Sequence, residues 1–416
     1  MHRLALGSLV TVASLLSPAA TPASATPPQH LPNKATPHLP RPAAAPHLPS
    51  KATPHLPKPA APHLSKPAPH LPKPTGSRVV GVTSLHLKDT SRPDPWVPSV
   101  KMRELMVSVW YPATSKGKRA PYMTAKESAL LLKDGGITGV PPGVLATTRT
   151  NAYTDAKPRG RKRGLPLVVL SPGFKKPRAT LSAIAEDLAS RGYVVAGIDH
   201  TYESVATQFP DGRVTTCVPC EGERDPSTFT KAAKGRAADV SFVIDRLTGK
   251  GTWKGAALID RSRVAMAGHS LGGASGLAAM AKDGRIRAGI DIDGTVPPNI
   301  PDADLARPFM FLGKPDTYTP GSGRPETATW EQAWKRLTGW KRWLLMTGAQ
   351  HESFNDLGPL AAQLGLDTGA QVPGPRSWDL TRTYVGAFLD LHLREKPQPL
   401  LDRPSPSHPE IKHVTP

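Results

Sequence analysis

Two cysteines, Cys217 and Cys220, are all that a chain of 416 residues carries. A zinc site needs more ligands than this pair, and the Cys-Val-Pro-Cys spacing lies in a turn-rich segment unlike the setting of a thioredoxin-type redox motif. In an oxidising compartment the pair closes a small disulfide loop; otherwise it stays reduced because Pro219 makes the bridge awkward. Both readings give it a structural role. Long apolar runs are missing as well. Residues 4–16 are interrupted by Ser8, Thr11 and Ser14, short of the roughly 20 continuous apolar residues that a membrane span requires. Aromatic residues make up only 6% of the chain, and 33 Asp and Glu face 53 Lys and Arg, for a formal charge of +20. A basic balance on that scale raises the question of nucleic acid or anionic surfaces. The densest run, Lys157-Pro158-Arg159-Gly160-Arg161-Lys162-Arg163, sits in a Pro/Gly loop with no aromatic platform and no basic helix face. It reads as a solvated loop. No nucleic-acid partner is expected, and a lipid surface or a cell-wall polymer is the contact such a charge allows.

Proline, in contrast, is abundant, and much of it lies near the start. Residues 1–25 combine Arg3, an apolar stretch and Ala23-Ser24-Ala25, the pattern of a secretory signal peptide, so the mature protein is expected to be secreted and soluble. Residues 26–76 repeat a Pro-His-Leu-Pro unit, at 37–40, 46–49, 54–57 and 69–72. Dense proline removes amide donors and favours extended polyproline geometry, so this stretch reads as a disordered linker or stalk. One domain is expected over 77–403, followed by a 404–416 tail.

Within that body, 82–87 and 105–111 read as two early strands forming an antiparallel edge. From residue 165 strand and helix alternate: strands at 165–170, 193–198, 264–267, 286–292, 309–312 and 343–346, with helices at 180–191, 231–247 and 380–394 among them. Such alternation gives an α/β fold, a mostly parallel sheet with helices on both faces, whose ligands gather at the carboxyl ends of the strands.

The chemistry concentrates at residues 263–276, RVAMAGHSLGGASG. An apolar strand climbs to Gly268-His269-Ser270-Leu271-Gly272, and small residues follow at helical spacing. This G-x-S-x-G turn holds its serine in a strained conformation and exposes the hydroxyl, making Ser270 the candidate nucleophile. Serine needs a base, and the base needs an acid; in this architecture the chain order is Ser, acid, His. Histidines before Ser270, His86 and His200 included, are excluded; His269 leaves the turn in the wrong direction. His392 sits mid-helix, and His408 and His413 lie in the Pro-rich end. His351, on the loop after the 343–346 strand, is the candidate base. Asp293, ending the 286–292 strand, and Asp316, after the next strand, both suit the acid, while Asp291 lies further from the loop. Two amides should form the oxyanion hole: that of Leu271, after the nucleophile, and that of Phe174, in the loop after the 165–170 strand.

Taken together, Leu170-Ser171-Pro172-Gly173-Phe174, residues 187–193 (DLASRGY), Gly268-His269-Ser270-Leu271-Gly272-Gly273, residues 288–294 (AGIDIDG) and residues 351–356 (HESFND) resemble the secreted platelet-activating factor acetylhydrolase group of α/β-hydrolases, with its bacterial lipase relatives. The resemblance spans roughly 79–391. It implies an α/β-hydrolase fold and places the acid on the strand after the nucleophile's helix, at Asp293, whereas polyesterases and cutinase-like lipases place it one strand later, matching Asp316. Pro172 departs from the histidine often found in the acetylhydrolases. The expected activity is hydrolysis of short-acyl or phospholipid-like esters by a Ser-Asp-His triad, without cofactor or metal. The implied substrate is a small-molecule or lipid ester, and Lys175, Lys176 and Arg178 beside the oxyanion loop would attract its phosphate. The alternatives are a cutinase-like polyesterase and a non-catalytic cell-envelope protein with a relic hydrolase body. Oligomeric state is not readable from the residues.

Overall fold

Fully apolar runs such as Leu165-Pro166-Leu167-Val168-Val169-Leu170 can only be accommodated as strands covered on both faces. The computed structural model describes residues 67–222 and 225–416; the expected signal peptide and most of the 26–76 linker lie outside the described residues. Its central element is a ten-stranded sheet in the order β12-β11-β10-β9-β8-β4-β5-β2-β1-β3. The strands are β1 (Val79–Asp89), β2 (Arg103–Ala113), β3 (Tyr153–Thr154), β4 (Leu165–Ser171), β5 (Val194–His200), β8 (Ile259–His269), β9 (Ile286–Ile292), β10 (Phe309–Gly313), β11 (Lys341–Met346) and β12 (Ile411–Val414), with β6 (Thr207–Gln208) and β7 (Val214–Thr215) forming a separate hairpin. From β5 to β11 every pairing is parallel, and β1–β2 and β2–β5 are antiparallel, as the sequence predicts for that edge.

Period-two alternation divides the core between the two faces. Val168 and Leu170 of β4 point into one cluster with Ala185 and Leu188 of α2 (Ser182–Ser190), Leu360 of α7 (Leu357–Leu364), and Tyr384 and Phe388 of α8 (Gly374–Arg394). Leu167 and Val169 point into the other, against Val240 and Val243 of α3 (Pro226–Thr248), Leu277 of α4 (Leu271–Lys282) and Trp330 of α6 (Pro325–Arg336). Two further helices, α1 (Ala125–Asp134) and α5 (Pro315–Tyr318), add Leu131 and Leu132 to the first cluster and Tyr318 to the second; α1 opens on a capping box between Thr124 and Glu127. Among the described residues no helix is long and apolar enough to cross a membrane.

The domain is longer at both ends than 77–403. The segment read as a tail supplies β12, antiparallel to β11, with Ile411 opposite Met346 and only 2% exposed. Flanking prolines hide this short strand, because four residues carry little alternation of their own. At the front, Leu71 is 1% exposed, its amide donates to the Arg149 carbonyl at 2.9 Å, and Thr75 Oγ1 donates to Asp187 at 2.7 Å. The last proline-rich repeat is thus packed on the body, one leucine supplying the apolar anchor that the repeat's composition conceals. Cys217 and Cys220 are joined in a disulfide with Cα atoms 5.4 Å apart, so Pro219 does not prevent closure.

Candidate active site

Ser270 is the one residue between β8 and α4. Its φ of 56° and ψ of −132° lie in a region that non-glycine residues seldom occupy. Two glycines make the turn possible. A Cβ at Gly272 would fall 2.0 Å from the Ser171 carbonyl oxygen, and one at Gly268 would fall 2.3 Å from the Gly272 carbonyl carbon. Strand and helix therefore approach more closely than any side chain allows, which lifts Ser270 above the sheet. Its amide is tied down by the Ile292 carbonyl of β9 at 2.7 Å.

Asp293 leaves β9 in a left-handed conformation, φ 57°, that turns its carboxylate back over the sheet end. Oδ2 accepts a hydrogen bond from His351 Nδ1 at 2.6 Å and Oδ1 accepts from the Lys314 amide at 3.0 Å. The carboxylate is buried while the His351 side chain is 40% exposed, so the imidazole is fixed from behind with its other nitrogen free to face a cleft. Asp316 is exposed in the first turn of α5; the structure pairs His351 with Asp293 and not with Asp316. Asp291 is fully buried under the turn, where a Cβ at Gly273 would fall 2.3 Å from its Oδ1. Burial, then the neighbouring charge of Asp293, pushes its carboxyl well above the usual range.

Ser270, Leu271, Phe174, Asp293 and His351 line a single cleft of about 630 Å³. Its walls are Pro226 and Phe229 of α3, Val296, Pro297 and Pro298 after β9, and Tyr318 of α5; Phe174 and Phe229 meet edge to face at 5.5 Å. Neither the Leu271 nor the Phe174 amide donates to an acceptor among the described residues, which leaves both available at the rim, Leu271 with the helix N-terminus behind it. Close packing brings the two halves together: a Cβ at Gly173 would fall 3.2 Å from the Ser270 Cβ.

The cations expected to attract a phosphate are otherwise engaged. Lys175 pairs with Asp134 at 2.7 Å, Lys176 with Glu352 at 2.9 Å, and Arg178 with Asp199. Lys314 is the cation that lines the cleft, and Glu326 lines it as well.

His269 has a place that its exclusion as a base conceals. It is buried, its ring lies 4.4 Å from that of His351, and its Nε2 is 2.8 Å from the His351 carbonyl oxygen. Burial, then the adjacent His351, lowers its pKa to about 4, so it is neutral and donates through Nε2, buttressing the loop that carries His351. Its position before the serine was the only signal in the sequence. His392, as expected, packs in α8, between Trp340 and Phe388 at 4.5 and 4.6 Å.

A second series of the same residue types lies beneath the Phe174 loop. Ser171 Oγ is 2.9 Å from His200 Nε2, and His200 Nδ1 is 2.7 Å from Asp239 Oδ2. Burial alone would raise the Asp239 carboxyl, but Arg103 beside it and the His200 bond hold it well below its usual range. Arg236 donates to Ser171 Oγ at 3.2 Å and to the Pro172 carbonyl, and pairs with Glu203 at 2.7 Å. All of these side chains are at most 2% exposed; they brace the strand end from which the Phe174 loop departs. Sequence order excluded His200 as a base, and no pattern marked it as a brace.

A doubly covered parallel sheet, a serine on a strained strand–helix turn, and an Asp–His pair in the same cleft define an α/β-hydrolase of the carboxylic ester hydrolase class. Comparison with known proteins gives the family. The profile described as platelet-activating factor acetylhydrolase, isoform II, matches residues 69–216 and 241–364, and the chain belongs to this family. A probable 1-alkyl-2-acetylglycerophosphocholine esterase of Arthroderma benhamiae is 29% identical over 365 residues, covering 79% of this chain and 89% of that protein. The platelet-activating factor acetylhydrolase of Cavia porcellus is 24% identical over 55% of this chain and 57% of its own. Among solved structures, a ferulic acid esterase from Streptomyces cinnamoneus is 41% identical with a TM-score of 0.75, covering 84% of this chain and all of that one.

Proposed function

We propose that the chain is an exported serine ester hydrolase acting on short-acyl or phospholipid-like esters in lipid breakdown, with Ser270, His351 and Asp293 as its triad. The observation that carries this reading is the 2.6 Å Asp293–His351 bond in the cleft that also holds Ser270. Ser270 Oγ attacks the ester carbonyl while His351 takes its proton; Asp293 fixes the imidazole tautomer and supports the imidazolium. The amides of Leu271 and Phe174 receive the oxyanion. Collapse expels the alcohol, protonated by His351, and water activated by the same imidazole releases the acid and restores Ser270. Export rests on the character of residues 1–25.

Replacing Ser270 by Ala is expected to reduce hydrolysis of a chromogenic acetate ester by at least about a thousandfold with an unchanged melting temperature; retained turnover refutes the assignment. A second reading, favoured by the Phe174–Phe229 wall and the 41% identity to the ferulic acid esterase, is an aromatic acyl group in the cleft. A substrate panel separates the two: faster turnover of an acetylated glycerophosphocholine analogue supports the first, and faster turnover of methyl ferulate replaces it with the second.

A further inference from the structure

Two segments without a single acidic residue, 112–119 and 156–164, run side by side at one end of the sheet. The Thr114 amide donates to the Lys157 carbonyl at 3.0 Å, and the Arg159 amide to Pro112 at 2.8 Å. Further along, the Arg163 amide donates to Ala257 at 2.9 Å, fastening the loop to the segment that enters β8. Lys157, Arg159, Arg161, Lys162 and Arg163 are all exposed, with Lys116 and Lys118 exposed beside them. None of these forms an ion pair among the described residues, although arginines elsewhere are closely paired, Arg92 and Arg103 with Asp239 and Arg376 with Glu410. Seven exposed cations with no ion-pair partner among the described residues are thus gathered on two neighbouring segments. Unpaired like charges at this spacing repel one another, the more so at low salt, and a polyanion relieves the repulsion while releasing its own counterions.

Chemistry around the patch narrows the partner. The residues between the cations are Pro158 and Gly160, so no apolar side chain is offered for insertion into a bilayer. The nearby aromatic, Tyr153, is covered by the Arg119 guanidinium at 5.6 Å, which removes a stacking platform for bases. Position fixes the consequence. The loop feeds the first residue of β4 and contacts the entry to β8, whereas Phe174, Ser270, Asp293 and His351 all lie beyond the opposite ends of these parallel strands. We infer that this patch docks the enzyme on a flexible linear polyanion bearing repeated phosphate or carboxylate groups, with the cleft facing away and open.

The test measures binding, so it stands apart from the triad assignment. Full-length protein is titrated with inorganic polyphosphate and, separately, with polygalacturonate. One variant carries Gln at 157, 159, 161, 162 and 163; a control loses the same charge through Gln at Lys126, Lys234, Lys335, Lys396 and Lys412, all exposed. The patch variant is expected to bind at least about tenfold more weakly with a shallower salt dependence, and the control less than about threefold. The arm that binds more tightly identifies phosphate or carboxylate as the recognised group. Equal losses in both variants, no binding to either polymer, or tighter binding to anionic-lipid vesicles or single-stranded DNA overturns the inference. In wild-type protein, bound polymer should shield Lys157 and Lys162 from acetylation while sparing Lys126 and Lys412; uniform labelling overturns it whether or not the variants fold. Chromogenic acetate turnover that persists with polymer bound supports the outward-facing cleft, and inhibition refutes it.

Discussion

At the residue scale the acid is the sharpest point. Two aspartates satisfied the chain order, and three-dimensional contact separates them: Asp293 meets His351 at 2.6 Å and Asp316 is exposed on α5. Asp293→Asn should preserve the fold and lower kcat by about 10⁴, the loss expected when the imidazole sits in the wrong tautomer, while Asp316→Asn should change it less than about twofold. Comparable losses in the two variants would sink the choice. That Ser270, His351, Leu271 and Phe174 meet in one cleft was legible because each sits at a fixed offset from a strand end. His269 was not. Its contribution depends on a contact with the His351 carbonyl 82 positions away, and no local pattern encodes a contact of that range.

At the scale of elements, β12 shows what sequence patterning conceals. Helices and parallel strands of the central body were readable because their apolar residues repeat at 3.6 or fill whole runs. A four-residue strand between prolines has no such repeat, and its partner β11 is what stabilises it. Removing residues 404–416 should uncover the β11 edge and lose about 2 kcal/mol from Ile411 burial alone, lowering the melting temperature by several degrees; an unchanged melting temperature would refute the role given to β12. In α8 and at the end of β8, His392 and His269 are both held near pKa 4, in each case first by burial. Unfolded histidine titrates near 6.5, so the unfolded chain binds these protons first. Stability from keeping the rings neutral is complete above about pH 6.5 and is lost as pH falls through about 4. The melting temperature should therefore decline across that window, and His392→Leu should decline less steeply; a parallel decline would contradict the account.

At the scale of the whole molecule, the two faces of the sheet are built alike but its two ends are not. One end gathers the cleft and the other the basic loop, an asymmetry that composition reduces to a single net charge. Within the cleft end, burial governs access: Ser270 lines the cleft and Ser171 is 0% exposed. Reaction with a fluorophosphonate probe should add one adduct, on Ser270, and none on Ser171; labelling of Ser171 would contradict its burial.

That contrast has a practical bearing on how such enzymes are catalogued. A geometric template searching for serine–imidazole–carboxylate contacts would rank Ser171, His200 and Asp239 highly, since both of their links are closed, at 2.9 and 2.7 Å. Yet with Ser171 0% exposed no ester can arrive there. Template searches over hydrolases of this architecture need a solvent-access filter, or they will assign catalysis to the masonry under the Phe174 loop.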